Sequence, residues 1–148
     1  MKAGGKVGHP LGKNPGDVWT LASSNYRGAH FATFPEALAE PCLRAGCPAQ
    51  VCRSCGQPWQ RQPVRRQLGH LAVLGDLAPT CTCQATARPG LVLDPFMGAG
   101  TVAIVAERLG RDWLGIELNP AFANLTEQRL AQARAQTIAA TNKRKEVL

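Results

Sequence analysis

The chain has 148 residues, and its 45% of hydrophobic residues supports a globular fold of one domain with its own core. No apolar run approaches the ~20 residues that a membrane-spanning helix needs and no secretory signal is visible, so a cytoplasmic protein is expected, whose six cysteines are thiols or metal ligands and not disulfides. The net charge of +7 favours a polyanionic partner, of which nucleic acid is the first candidate.

The amino-terminal third predicts an irregular lead-in followed by a helix. Residues 1–16 are rich in glycine, proline and lysine, which favours an exposed irregular segment. Asp17–Leu21 is a predicted short strand. A helix is predicted from Pro35 to Ala45, with Thr33 placed to cap it and with Cys42 in the core.

Residues 47–90 carry a cysteine pattern typical of a metal site. The pattern consists of a Cys-x2-Cys pair and a Cys-x-Cys pair, formed by Cys52 with Cys55 and by Cys81 with Cys83. Four thiolates in two pairs can close one tetrahedral zinc site, although the shorter pair departs from the commoner spacing. Cys47 is an alternative ligand, and free or redox-active thiols are the alternative to zinc.

An arginine-rich loop separates the two cysteine pairs. Arg61, Arg65 and Arg66 lie there together with Trp59. Guanidinium groups bind phosphate well, so a loop held by a small metal module is a candidate for gripping a nucleic acid backbone. The alternative is a solvated basic loop whose metal only fastens the insertion.

A strand, a glycine turn and a helix follow. Leu91–Leu93 is a short apolar run that predicts a buried parallel strand ending on Asp94. Gly98 and Gly100 allow the backbone to turn tightly and to approach a ligand closely. From Thr101 a helix is predicted. Its apolar face is formed by Val102, Val105, Ala106 and Leu109.

A second strand completes the crossover. It is predicted from Asp112 to Glu117, and Glu117 comes 23 positions after Asp94 (117 minus 94). This is about the ~20-residue offset at which Rossmann-type folds place an acid on ribose hydroxyls. The sequence therefore predicts an α/β crossover with a ligand at the carboxyl ends of the strands, and an ordinary structural turn is the alternative. A helix over 121–136 and a basic tail are expected after it.

The turn favours a cationic ligand over a dinucleotide. The third glycine of the dinucleotide pattern is replaced by Ala103. Asp94 would place a negative charge where a pyrophosphate would lie, whereas a carboxylate suits an amino group or a sulfonium. The ligand predicted from these features is S-adenosylmethionine.

Three motifs now carry a resemblance to a family. Asp94–Thr101 resembles the cofactor motif of bacterial and phage DNA methyltransferases that methylate amino groups, at cytosine N4 or adenine N6. Gly115–Pro120 is similar to the motif that follows it, and Gly28–Pro35 to the motif that precedes it in the permuted members. With Asn14–Trp19 in front, the resemblance covers roughly residues 8–125.

The resemblance implies a Rossmann-like methyltransferase fold with a partial sheet and a small zinc-ribbon-like insertion. It implies methyl transfer from S-adenosylmethionine to an amino group of DNA. The residues expected to bind the cofactor are Thr33, Phe34, Asp94, Phe96, Gly98, Gly100, Thr101, Glu117 and Asn119. The expected parts are a lead-in with the first pocket motif (1–46), the cysteine-rich insertion (47–90), the cofactor-binding core (91–136) and the basic tail (137–148).

The catalytic loop of the family is missing. Members carry Asp, Asn or Ser followed by Pro-Pro and an aromatic residue, and this sequence contains no Pro-Pro pair. We therefore expect the carboxyl-terminal portion of such an enzyme, inactive alone, as a gene fragment or as one subunit of a split enzyme whose other chain carries the loop. The alternative is a non-catalytic zinc-ribbon protein that binds nucleic acid on a degenerate methyltransferase scaffold.

Overall fold

The computed structural model describes residues 16–22, 33–65 and 72–145. None of the helices in these ranges is both long enough and apolar enough to cross a membrane. The chain forms two compact units. The first unit comprises Met1–Thr20 and Gln50–Arg88, and the second comprises Leu21–Ala49 and Pro89–Leu148.

The first unit is built from two small sheets. Its strands are β1 (Gln50–Cys52), β2 (Gln60–Arg65), β3 (Ala72–Ala78) and β4 (Ala87–Pro89). Strand β1 pairs with β4, and β2 pairs antiparallel with β3 with an irregular register between Arg61 and Pro63. The Gln50–Arg88 part of this unit lies inside the 47–90 segment that the sequence singled out as an insertion.

The second unit contains the predicted strand–helix–strand crossover. Its elements are α1 (Glu36–Gly46), β5 (Leu91–Asp94), α2 (Thr101–Arg108), β6 (Asp112–Gly115) and α3 (Pro120–Lys145). Strands β5 and β6 are parallel neighbours, with Leu93 opposite Leu114. The α/β character predicted from the sequence is therefore confirmed, as a parallel pair and not as a full sheet.

Helix α2 is the centre of the core. Val105 and Ala106 are completely buried. They pack with Ala39 and Leu43 of α1 and with Val92 of β5. On its other side, α2 packs against α3 in a cluster formed by Met97, Ala103, Ile104 and Leu130. The predicted apolar face of α2 accounts for its contacts with α1 and β5, whereas Ala103 and Ile104, which lie outside that face, make the contacts with α3.

One face of the parallel pair is exposed, which corrects the prediction of a buried strand at 91–93. The exposed side chains alternate along both strands with exposures of 57% for Leu91, 59% for Leu93, 56% for Leu114 and 56% for Ile116. The opposite face carries Val92 and Trp113, which pack on the α2 core. Leu91, Val92 and Leu93 make both faces of the strand apolar. Among the described residues, however, other elements cover only the face that carries Val92.

Three local predictions in the amino-terminal part are wrong. Residues 16–22 form no strand, so Asp17–Leu21 is irregular. Helix α1 begins after Pro35, and no side chain caps it, so Thr33 is not its cap. Cys42 is exposed. Successive side chains of a helix point about 100° apart, and the neighbouring Leu43 is the one that faces the core.

The ends of two later elements also differ from the prediction. Strand β6 ends at Gly115, so Glu117 lies in the turn that follows it. Helix α3 continues to Lys145, well past the predicted end at residue 136. The segment from Ala121 to Lys145 contains no glycine and no proline, the two residues that most strongly end helices.

Candidate functional site

The carboxyl ends of β5 and β6 lie next to each other at the same end of the parallel pair. The amide of Ile116 donates to the Asp94 carbonyl at 2.9 Å, and the amide of Met97 donates to the Ile116 carbonyl at 3.0 Å. These two bonds continue the ladder beyond the strands. They hold the two following turns side by side, at the place where ligands bind in open α/β sheets.

The carboxylate of Glu117 joins the two turns. Its Oε2 accepts the amide of Gly98 at 2.8 Å, and its Oε1 accepts the amide of Asn119 at 2.8 Å. Hydrogen bonds to an ionised acceptor are stronger than neutral ones. Both carboxylate oxygens are therefore held in one orientation, beside the carboxyl ends of the two strands.

The glycine turn needs glycine at two positions. Gly98 and Gly100 have φ angles of +52° and +73°, which side chains rarely adopt. At Gly100 a Cβ would also lie 2.6 Å from Cγ2 of Thr126. The turn therefore approaches α3 as closely as a backbone can.

Two residues of α3 contact this turn, and the sequence analysis missed both. The hydroxyl of Thr126 donates to the Gly98 carbonyl at 2.9 Å. The guanidinium of Arg129 donates to the Ala99 carbonyl and, at 3.4 Å, to the hydroxyl of Thr101. No local pattern marks them, because their partners lie 28 to 30 residues earlier in the chain.

Asp94, Phe96 and Asn119 lie on the same two turns. Oδ1 of Asp94 accepts the amide of Phe96 at 3.1 Å. The Phe96 ring is 90% exposed, so an apolar surface borders the turn. Oδ1 of Asn119 accepts the amide of Ala121 at 2.9 Å, which caps the first turn of α3.

The structure brings most of the predicted cofactor residues to this edge but leaves two apart from its network. Thr33 is half-buried and Phe34 is exposed, just before α1. Within the described ranges, no recorded hydrogen bond joins them to the glycine turn. A groove of about 660 Å³ runs between α2 and the second half of α3, past Ile104 and Ile138. None of the residues that line this groove belongs to either strand-end turn.

The first unit gathers its four cysteines into one cluster. The sulfur atoms of Cys52, Cys55, Cys81 and Cys83 all lie within 4.8 Å of one another. Positive φ angles of +73° at Gly56 and +54° at Gln84 turn the chain just after each pair. The predicted meeting of the two cysteine pairs is therefore confirmed, including the pair with the shorter spacing.

Two of these thiols have pKa values shifted in opposite directions. Backbone amides of Cys55 and Ser54 donate to Cys52 and lower the pKa of that thiol to about 7. The neighbouring sulfurs of Cys55 and Cys81 raise the pKa of Cys83 to about 12. Four thiolates in so small a space would repel one another unless a cation lay among them, and thiolates suit soft metal centres such as zinc, copper(I) and iron–sulfur clusters.

The remaining candidates of the sequence analysis fall outside this cluster or outside the described ranges. Cys47 belongs to the second unit, where it is buried. Arg61 donates to the Gly75 carbonyl at 3.0 Å across the β2–β3 pair. Arg65 is the last residue of β2, and Arg66 lies outside the described residues.

Comparisons with known proteins relate the chain to DNA methylases. Residues 75–128 match the family model described as DNA methylase, N6_N4_Mtase, and this range includes both turns of the site. The chain is 32% identical over 123 residues to the Type II methyltransferase M.SmaI of Serratia marcescens. It is 30% identical over 119 residues to the Type II methyltransferase M.Cfr9I of Citrobacter freundii.

These matches cover most of this chain but little of the relatives. They include 82% and 80% of this chain, yet 28% of M.SmaI and 26% of M.Cfr9I. The chain therefore spans about a quarter of the length of these curated relatives. A solved structure described as an M1.HpyAVI-SAM complex matches 50% of this chain and 45% of that one, with 22% identity and a TM-score of 0.28, which is too low to support an argument.

The close approach of the glycine turn to α3 can be tested with two alanine substitutions. Gly100 and Gly110 both have positive φ angles, but only at Gly100 would a Cβ meet another side chain. We expect Gly110→Ala to lower the free energy of unfolding by about 1–2 kcal/mol through backbone strain alone. Gly100→Ala should cost a further ~1–3 kcal/mol, because Thr126 must move. Urea unfolding measures both, and equal losses would contradict the tight packing.

Proposed function

We propose that this chain, which is similar to Type II DNA methyltransferases, forms the S-adenosylmethionine-binding portion of an amino-methylating DNA methyltransferase. The observation that carries the proposal is the Glu117 carboxylate, which is fixed by the Gly98 and Asn119 amides between the two strand-end turns. A carboxylate held there can accept hydrogen bonds from the ribose hydroxyls of a nucleoside cofactor. The reaction proposed is methylation of the exocyclic amino group of cytosine (N4) or adenine (N6) in DNA.

The residues at the strand ends have separate proposed tasks. Glu117 orients the ribose, and Asp94 presents a negative charge to a cationic part of the cofactor. Phe96 offers an exposed ring as an apolar wall, while Gly98 and Gly100 let the backbone approach closely. Further residues proposed to line the pocket are Thr33, Phe34, Thr101 and Asn119. When bound, S-adenosylmethionine supplies an electrophilic methyl group.

The chemical half of the reaction is proposed to come from another polypeptide segment. The sequence has no Pro-Pro pair, so it lacks the loop that accepts the hydrogen bonds of the target amino group in the family it resembles. Within the described residues, β5, β6 and Ile116 just after β6 leave four apolar side chains exposed on one face. Parallel sheets are normally covered on both faces. We propose that the segment carrying the catalytic loop, which the longer relatives have room for, covers this face.

We also propose that the four-cysteine cluster binds one structural zinc ion. Cys52, in the first pair of the cluster, is completely buried. A metal bound there would stabilise the first unit, as metals commonly do in small domains. The proximity of four thiols, the turns after each pair and the amides that donate to Cys52 all suit a tetrahedral zinc site.

A second candidate function is a non-catalytic zinc protein that binds nucleic acid on a methyltransferase scaffold. The missing catalytic loop and the net charge of +7 favour it. Under either function, Arg61, Arg65 and Arg66 are the proposed contacts to a nucleic acid backbone. The two functions differ in cofactor binding, because only the first requires S-adenosylmethionine. A DNA substrate agrees with the cytoplasmic location expected from the sequence.

Binding of S-adenosylmethionine should depend on charge at one end of the sheet only. Asp94 ends β5, whereas Asp112 begins β6 at the opposite edge, so Asn substitutions at the two sites form a matched pair. Asparagine at 94 can still accept the Phe96 amide, which preserves the turn. We expect Asp94→Asn to weaken binding at least about tenfold, or 1.4 kcal/mol, and Asp112→Asn to change it less than about twofold.

Isothermal titration calorimetry of the three proteins measures these affinities. Equal weakening by both variants would mean that Asp94 acts only through net charge. No binding by the unmodified chain, together with retained binding to a DNA duplex, would favour the non-catalytic function.

The exposed face of the parallel pair should be needed for methylation. The chain alone is expected to transfer no labelled methyl group to DNA, and activity should appear when it is mixed with the polypeptide encoded directly upstream. Leu93→Asp should abolish this complementation, because it places a charge on the face to be covered. Ile138→Asp, at an equally exposed position on α3, should not. Methylation by the chain alone would refute the split arrangement.

The zinc proposal predicts one metal ion per chain. Cys55 belongs to the cluster and Cys42 does not, and both are exposed, so serine variants at these two positions are directly comparable. Elemental analysis should find one equivalent of zinc in the unmodified chain and in Cys42→Ser, but little in Cys55→Ser. A chelator should raise hydrogen exchange in Gln50–Arg88 while leaving Pro89–Leu148 protected. Equal zinc in the two variants would refute the site.

A further inference from the structure

Helix α3 holds two consecutive carbonyl groups of the glycine turn. Thr126 is only 3% exposed, and its hydroxyl donates to the Gly98 carbonyl at 2.9 Å. Arg129 donates to the next carbonyl, that of Ala99. Residues 126 and 129 are three apart, so they lie on one face of the helix and reach the same turn. Neither Thr126 nor Arg129 is among the residues proposed above to contact the cofactor.

The direction of each carbonyl sets the direction of the following amide. In a planar trans peptide, the C=O and N–H groups point in opposite directions. Because Thr126 draws the Gly98 carbonyl towards α3, the amide of Ala99 points away from α3. Arg129 likewise draws the Ala99 carbonyl towards α3, so the Gly100 amide points away from α3. That amide donates to the Met97 carbonyl at 2.9 Å.

Gly98 is consequently held from both sides. Its amide donates to Glu117 at 2.8 Å, and its carbonyl accepts from Thr126 at 2.9 Å. The position of Glu117 relative to the turn therefore depends on where α3 places Gly98. Glycine has no side chain of its own to restrict it, so these two bonds supply the restriction.

The register of α3 is itself tied to the site. Asn119 caps the first turn of the helix and donates its amide to Glu117 at 2.8 Å. About 10 Å further along the helix, Thr126 meets the glycine turn. One turn later, Leu130 is buried against Met97 and Ile104, which fixes the rotation of the helix. The helix is thus anchored before, at and after its contact with the turn.

We propose that Thr126 and Arg129 are positioning residues, which hold the glycine turn and through it Glu117 in the conformation that binds the cofactor. The inference rests on the proposed cofactor function for its effect on affinity. It needs no contact between either residue and the cofactor.

The hydroxyl of Thr126 can be removed without changing the size of the side chain. Thr126→Val should increase hydrogen exchange at the Gly98 and Gly100 amides about tenfold or more and weaken S-adenosylmethionine binding about tenfold. Thr126→Ser, which keeps the hydroxyl, should restore both to within about threefold. Thr137→Val is the matched control, because the Thr137 hydroxyl bonds only within α3, to the Ala133 carbonyl at 3.0 Å.

Exchange followed by NMR and affinity followed by calorimetry separate this inference from the proposed function. Faster exchange in Thr126→Val but not in Thr137→Val supports the positioning role even if the unmodified chain binds no S-adenosylmethionine, a result that would count against the proposed function alone. Unchanged exchange in Thr126→Val, or an equal change in both variants, overturns the inference. If Thr126→Val does not fold, Arg129→Gln gives the same test at the Gly100 amide, with the same outcomes.

Discussion

The site depends on the hydrogen bond between the Glu117 carboxylate and the Gly98 amide. The strand ladder fixes β5 and β6 as far as Asp94 and Gly115, and two backbone bonds continue it to Met97 and Ile116. The charge-assisted bond extends the connection to Gly98, and its half-buried position protects it from screening by salt. The group proposed to bind the ribose is therefore also the group that holds the ribose site together.

The parallel pair is stabilised from one side, which limits what this part of the chain can do alone. Helix α2 covers the face that carries Val92 and Trp113, and its completely buried Val105 shows how closely that side is packed. The other face exposes Leu93 and Leu114. A site built on such a pair is therefore supported by packing on one face, while the other face is uncovered among the described residues. The segment proposed to carry the catalytic loop would cover that face.

The sequence predicted what local patterns determine. The glycine turn, helix α2 and the meeting of the four cysteines follow from residue spacings within short segments, and all three are confirmed. The exposure of Leu91 could not be predicted, because an apolar strand does not show whether a covering layer exists. The contacts of Thr126 and Arg129 were missed for a similar reason, since polar residues on an exposed-looking helix give no sign of a partner about 30 residues away.

The two units reach stability by different routes. In the second unit, the helices around α2 bury apolar side chains such as Val105, Ala106 and Leu130. In the first unit, the completely buried Cys52 belongs to the four-cysteine cluster, and the proposed metal would hold the two cysteine pairs together. A metal constrains a short chain without needing a large buried surface. Each unit could therefore keep its own local structure before the proposed catalytic segment covers the exposed face of β5 and β6.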